Sequence, residues 1–307
     1  MKAVIPAAGY GTRFLPASKT VPKEMLPVGA KPAIQLIVEE AVAAGADDVV
    51  IVTSRDKPSL MKHFAPDPVW RARCAKKPEI DAEMAKLEEL GKRIVWVYQE
   101  EQKGLGHAVL QAADALRGEK DPVLVLLGDA LVSGEPPSAA MAAVSRAFGG
   151  ASVVGLEEVP LEKVSRYGIV KGERVEMPSC NGGAAIATSC RASSIGEAAP
   201  SPLRCSDGVP PSCNGEIYKL SDLVEKPAPD VAPSRLAIAG RYLLDPDVFG
   251  LLASQKPGVG GEIQLTDSIR RLLDGHCVCG YRYPGRRHDI GNPKGYFETL
   301  AAFNTQF

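Results

Sequence analysis

The sequence has no apolar stretch able to cross a membrane. Its longest uninterrupted aliphatic run is Val123–Leu127, whereas a spanning helix needs roughly 20 apolar residues. The start, Met1-Lys2-Ala3-Val4-Ile5-Pro6, leads straight into glycine-rich sequence with Arg13. It lacks the apolar core of a secretion signal, so a cytoplasmic chain is expected. Neither sign of charge prevails: Lys and Arg number 36, Asp and Glu 37, and the net charge is −1. That balance excludes nucleic-acid recognition driven by bulk electrostatics. The cysteines number 7 (Cys74, Cys180, Cys190, Cys205, Cys213, Cys277 and Cys279), an odd count with no Cys-x-x-Cys pair. Their spacing matches no zinc ribbon or finger, and reduced thiols without a metal or redox role are expected. There is no internal repeat.

What is present is ordinary globular material. With 45% hydrophobic and 24% charged residues in 307, the chain can bury a large core. That length suits two domains or one long α/β domain, and one domain is expected here, with residues 1–150 and 151–307 as its halves. The first half alternates strand and helix. Lys2–Pro6, Asp48–Thr53, Ile94–Tyr98 and Val123–Leu127 read as strands. Ala33–Ala44, Glu79–Leu90 and His107–Leu116 read as helices; Ile34, Ile37, Val38 and Ala41 mark the buried face of the first, and Gly45 stands where a C′ glycine belongs. That alternation predicts an α/β fold with a mostly parallel, Rossmann-like central sheet flanked by helices. The second half is mixed. Ala151–Leu156, Gly168–Lys171, Leu220–Val224 and Leu236–Leu244 read as strands. Asp247–Ala253, Glu262–Leu273 and Pro293–Phe303 read as helices, the last with Asn292 as N-cap and Pro293 at N1. Met177–Asn214 is rich in Gly, Ser, Pro, Ala and Cys without hydrophobic periodicity, the composition of a flexible loop.

The chemistry starts at Pro6-Ala7-Ala8-Gly9-Tyr10-Gly11-Thr12-Arg13. A glycine turn after the first strand is where a doubly wound sheet binds phosphate. Two familiar phosphate loops fail here: Phe14 occupies the third glycine of Gly-x-Gly-x-x-Gly, and no Gly-Lys-Ser/Thr occurs. Arg13, Lys19 and Lys23 follow in a proline-stiffened segment. Cations beside a phosphate turn suit a triphosphate, whose charge must be offset in the transition state. Asp129, just beyond the buried strand at Val123–Leu127, stands where such sheets bind ligands and is a hard oxygen donor suited to Mg²⁺. Asp289 is the natural second carboxylate, and its neighbour His288 reads as a packed or exposed imidazole. Gln99 ends a strand and can donate and accept at once; Gln102 is the competing candidate. Glu225 and Lys226 offer a carboxylate for sugar hydroxyls and an ammonium for a phosphate, although an exposed ion pair is the plainer reading.

Taken together, Ala7-Ala8-Gly9-x-Gly11-Thr12-Arg13 and Pro22-Lys23-Glu24-Met25-Leu26-Pro27 resemble the signature of the sugar-1-phosphate nucleotidyltransferases. Lys103-Gly104-Leu105-Gly106-His107, Leu127-Gly128-Asp129, Tyr167-Gly168-Ile169-Val170, Val224-Glu225-Lys226-Pro227, Gly261-Glu262-Ile263-Gln264-Leu265-Thr266-Asp267 and His288-Asp289-Ile290-Gly291-Asn292 extend the resemblance along nearly the whole chain. It is most similar to the bacterial branch that joins UTP and glucose 1-phosphate to give UDP-glucose and pyrophosphate. The resemblance implies the nucleotide-diphospho-sugar transferase fold. It implies that Arg13 and Lys23 act on the triphosphate, and that Ala7, Ala8, Gly9, Gly11, Thr12, Gln99 and Gly104 hold the nucleotide. It implies that Gly168, Glu225, Lys226 and Gly240 hold the sugar phosphate, that Asp129 and Asp289 hold Mg²⁺, and that the chain forms a homodimer or homotetramer.

Three rivals stand beside this reading. One is a thymidylyl- or adenylyltransferase of the same class. Another is an inactive nucleotide-sugar sensor, which the joint presence of Asp129, Asp289, Arg13 and Lys23 disfavours. The third is a Rossmann dehydrogenase, which Phe14 disfavours. The chain departs from the family between Gly168 and Glu225, where Met177–Asn214 makes it longer than expected. That stretch either covers the sugar site or loops away from it, and is expected to supply no catalytic group.

Overall fold

The computed structural model describes residues 1–178 and 214–303. The loop expected over Met177–Asn214 therefore lies almost wholly outside the described residues, as do Cys180, Cys190, Cys205 and Cys213. The strands are β1 (Lys2–Pro6), β2 (Pro27–Val28), β3 (Lys31–Pro32), β4 (Asp48–Thr53), β5 (Ile94–Tyr98), β6 (Val123–Leu126) and β7 (Ala130–Ser133). They continue with β8 (Ser152–Glu158), β9 (Gly168–Val175), β10 (Glu216–Glu225), β11 (Leu236–Leu244), β12 (Val278–Arg282) and β13 (Arg286–Asp289). The helices are α1 (Ala33–Ala43), α2 (Pro58–Phe64), α3 (Pro68–Cys74), α4 (Pro78–Lys92), α5 (Leu105–Leu110), α6 (Ser138–Ala147), α7 (Val248–Ala253), α8 (Leu265–Leu272) and α9 (Pro293–Phe303).

One sheet of 9 strands, ordered β5-β4-β1-β6-β11-β8-β12-β10-β9, runs through the molecule. Its first four strands are parallel, as the alternating pattern predicts. β1, β4 and β6 are apolar on both faces because helices cover both, and every residue of Val123–Leu126 is buried, whereas the edge strand β5 leaves Val95 41% exposed. Beyond β6 the sheet turns mixed. β11 pairs antiparallel with both β6 and β8, whereas β8 and β12 are parallel. Apolar clusters form on the two faces, one around Ile5, Ile37 and Leu126, the other around Val4, Val125 and Ile269.

Local signals explain several ends. After α1, the amide of Ala46 donates to Ala41 and that of Gly45 to Val42, with Gly45 at φ 96°, the doubly bonded close of a Schellman motif. At the start of α9 the amide of Gly295 donates to Asn292 Oδ1 at 2.9 Å, so Asn292 caps the helix with Pro293 behind it. Other boundaries differ. The expected helix at His107–Leu116 is α5 followed by a separate 3₁₀ turn at Asp114–Leu116, and the one at Glu262–Leu273 begins only at Leu265. β9 and β10 run longer than expected because their far ends pair with each other while exposing polar side chains. In α4, Leu87 is buried but Ile80 is 45% exposed, since only the later turns reach the core.

Candidate active site

The parallel strands place the first group of residues. β1 and β6 are neighbours, so the loop after Pro6 and the loop after Leu126 emerge side by side at the carboxyl end of the sheet. The amide of Ala7 donates to Val52, and that of Gly128 to Pro6, locking the first residues of both loops to the strands. Asp129 therefore stands beside the Ala7–Arg13 loop. A small antiparallel ladder brings up its counterpart: β13 pairs with β7 in a register that sets Asp289 opposite Ala130, and the amide of Ile290 donates to the Asp129 carbonyl at 2.9 Å.

Gly291 measures how close the two carboxylates come. A Cβ on Gly291 would lie 2.8 Å from Asp289 Oδ1 and 3.0 Å from Asp129 Oδ2. Both acids thus face the same small space, and only glycine leaves it open. The Asp289 carboxylate is held by the Gly291 amide at 2.7 Å and by Asn292 Nδ2 at 3.1 Å. Lys23 donates to Asp129 Oδ2 at 2.6 Å. Burial is the largest influence on the Asp129 carboxyl and pushes it up, but the charge and hydrogen bond of Lys23, a backbone hydrogen bond and the Arg287 charge together hold it below its ordinary value. Burial likewise works against the Lys23 charge, yet Asp129, Glu24 and Asp289 together raise its pKa. Two oxygen-rich carboxylates around a space already attractive to a cation suit a hard divalent ion.

Behind the glycine turn lies a residue the sequence does not single out. Lys57 is 5% exposed, and its ammonium donates to the carbonyls of Ala7 (2.7 Å) and Gly9 (2.6 Å) and to both Glu24 carboxylate oxygens at 3.1 and 3.0 Å. Those bonds tie the turn to the segment that carries Lys23. No motif marks Lys57; its role comes from the loop folding back over it.

The mixed strands place the second group. β9 and β10 pair so that Gly168 stands opposite Glu225, and the Lys226 amide donates to Tyr167 at 3.0 Å. Lys226 has φ 48°, the one non-glycine positive φ among the described residues; such strain concentrates at functional sites. Its Nζ lies 3.2 Å from Glu225 Oε1. Gly240, at φ 76°, sits in the bulge where β11 shifts register against β8. Arg241, fully buried, ties that bulge down. It pairs with Glu40 at 2.7 and 2.9 Å and donates to the carbonyls of Gly240 and Ala130.

One open cleft of about 690 Å³ joins both groups. Gly9, Gly11, Thr12, Arg13, Lys23, Gly104, Asp129, Gly168, Glu225, Lys226, Gly240 and Asp289 all line it. Ala7, Ala8 and Gln99 do not. They are buried, and Gln99 spends its side-chain amide on His107 Nδ1 at 2.8 Å, while Gln102 reaches the Ala8 carbonyl at 3.2 Å. Lys19 is exposed outside the cleft, and His288 is packed on Phe303 with Nε2 2.8 Å from Ser133 Oγ. The cleft also takes in residues with no role assigned from sequence: Tyr242, Arg287, Glu262, Gln264 and Thr266. The last three lie in the quoted Glu262–Asp267 motif. It crosses from Gly104, whose added Cβ would meet Glu262 at 2.7 Å, to Gly168, whose added Cβ would meet Thr266 at 2.8 Å.

Residues 2–179 match the family model described as nucleotidyl transferase. The chain belongs to the nucleotidyl transferase family. It is similar to UTP–glucose-1-phosphate uridylyltransferase 2 of Staphylococcus saprophyticus, with 39% identity over 98% of this chain and 91% of the relative. A UTP–glucose-1-phosphate uridylyltransferase of Bacillus subtilis is 38% identical over 99% of this chain and 91% of its own length. Among solved structures, a UDP-glucose pyrophosphorylase in complex with UDP-glucose superposes with a TM-score of 0.76 at 35% identity, covering 100% of this chain and 99% of that one. Among the described residues, no helix is long and apolar enough to cross a membrane.

Proposed function

We propose that this chain transfers the uridylyl group of UTP to glucose 1-phosphate, releasing pyrophosphate and leaving UDP-glucose. The observation that carries the reading is the joint lining of one cleft. The cationic glycine turn and the paired carboxylates stand at one end, and the Glu225–Lys226 pair opposite Gly168 at the other. The names of the relatives support the same substrates.

The reaction needs no protein nucleophile. A phosphate oxygen of glucose 1-phosphate forms a bond to the α-phosphorus of UTP in line as the bond to pyrophosphate breaks. Gly9, Gly11 and Thr12 line the turn around the nucleotide with the buried Ala7 and Ala8 behind them, and Gly104 faces its base, while Gln99, buried and bonded to His107, braces that side from behind. Arg13, exposed in the cleft, and Lys23 hold the triphosphate and the departing pyrophosphate. Lys226 positions the attacking phosphate, while Glu225, Gly168 and Gly240 hold the hexose. Asp129 and Asp289 would hold Mg²⁺, which when bound offsets charge on the reacting phosphates. Catalysis is placement and charge neutralisation. The same reading takes the enzyme as cytoplasmic and as a homodimer or homotetramer, which light scattering on the eluting protein reads directly.

A matrix of four nucleoside triphosphates against several sugar 1-phosphates, read by pyrophosphate release, tests the proposal. UTP with glucose 1-phosphate is expected to be fastest. Preference for dTTP or ATP would move the chain to the thymidylyl or adenylyl reading, and no turnover in any cell of the matrix would leave a sensor.

A further inference from the structure

Thr266 is 7% exposed and lines the cleft, yet its hydroxyl bonds to nothing among the described residues. A threonine in a helix ordinarily turns its hydroxyl to solvent or back onto the preceding turn. This one faces the sugar half. From the point a Gly168 Cβ would occupy, Thr266 Oγ1 is 2.8 Å away, Ile238 Cδ1 3.1 Å and Glu225 Oε2 3.2 Å. All these residues line the cleft. The missing side chain at 168 leaves the space on which a hydroxyl, a carboxylate oxygen and an apolar carbon converge.

The chemistry of that corner is specific. Glu225 Oε1 faces Lys226, while Oε2 turns to the corner and can only accept when ionised. The Thr266 hydroxyl can donate and accept. A substrate hydroxyl that donates to Glu225 and accepts from Thr266 satisfies both, and Ile238 meets the C–H beside it. We infer that Thr266 is a specificity-determining residue that holds, together with Glu225, one particular hydroxyl of the hexose. This rests on the proposed sugar 1-phosphate reading of the cleft. A site built to bond a hydroxyl rejects the analogue lacking it far more strongly than an apolar pocket discriminates by shape, because its own polar groups are left unpaired.

The test is a cycle between enzyme and substrate on the full-length chain. Wild type, Thr266→Val and Thr266→Ser are assayed with UTP and glucose 1-phosphate, then with its 2-, 3-, 4- and 6-deoxy analogues. Thr266→Val is expected to lower kcat/KM for glucose 1-phosphate by about 10–100-fold while leaving KM for UTP within about twofold. Thr266→Ser, which keeps the hydroxyl, should recover most of the loss. For one deoxy analogue, the valine variant and wild type should become equal. A penalty of the same size across every analogue, no penalty at all, or an equal rise in KM for UTP overturns the inference. If wild type turns over a different hexose 1-phosphate instead, the parent reading of the substrate has failed, and the same cycle on the accepted sugar still decides the role of Thr266.

Discussion

At the scale of single residues, the glycine between the two carboxylates is the sharpest handle. Gly291→Ala puts a methyl group 2.8 Å from Asp289 Oδ1 and 3.0 Å from Asp129 Oδ2, so both acids must move. A loss of about 10²-fold in turnover is expected from such a displacement, with a higher Mg²⁺ concentration for half-activity and an unchanged far-ultraviolet CD spectrum. Alanine activity equal to wild type would remove these acids from the chemistry. The two lysines divide the substrates: Lys226→Ala should raise KM for glucose 1-phosphate while UTP still binds in a calorimeter, and Lys23→Ala should weaken UTP itself. Equal losses for both ligands in both variants would contradict that division. Most of these residues are legible in the sequence because phosphate and metal chemistry demands particular side chains at loop ends. Lys57 and Thr266 are not. A lysine becomes a brace, and a threonine a reader of hydroxyls, only through what folding lays against them, and neither has a spacing that announces it.

Among elements, the parallel strands are legible because a strand covered on both faces is apolar throughout. The β7–β13 ladder is not: its short, polar C-terminal strand, Arg286–Asp289, has no pattern of its own, and its register depends on a partner far away in sequence. That ladder, with β11 beside it, is held by the buried Glu40–Arg241 pair. Glu40→Gln leaves the Arg241 charge without its counterion at a fully buried position, and breaking such a pair costs about 3–5 kcal/mol. Urea unfolding should show that loss. A midpoint within error of wild type would mean that the guanidinium finds other acceptors.

For the whole molecule, acid sensitivity follows from three imidazoles. Burial lowers the pKa of His63, of His107 with help from the Lys103 charge, and of His288 with help from Arg286 and Arg287. Between those depressed values and the ordinary 6.5, the unfolded chain binds more protons than the folded one, so stability rises with pH there and is lost as pH falls. The melting temperature should drop between pH 7.5 and 5.5, and His288→Gln should make that drop shallower; a slope unchanged by the substitution would exonerate His288. The sheet order has a different kind of consequence. β11 lies between β6 and β8, so in this sheet the strands of residues 1–150 meet those of 151–307 along the single β6–β11 seam. A fragment of residues 1–150 lacks β11 and leaves the wholly apolar β6 as an open edge; it should aggregate rather than bind UTP. A growing polypeptide passes through that same condition. At roughly 5–20 residues per second, β6 leaves the ribosome on the order of ten seconds before its second neighbour exists, so the yield of this protein in a cell depends on translation speed and on chaperones shielding one strand.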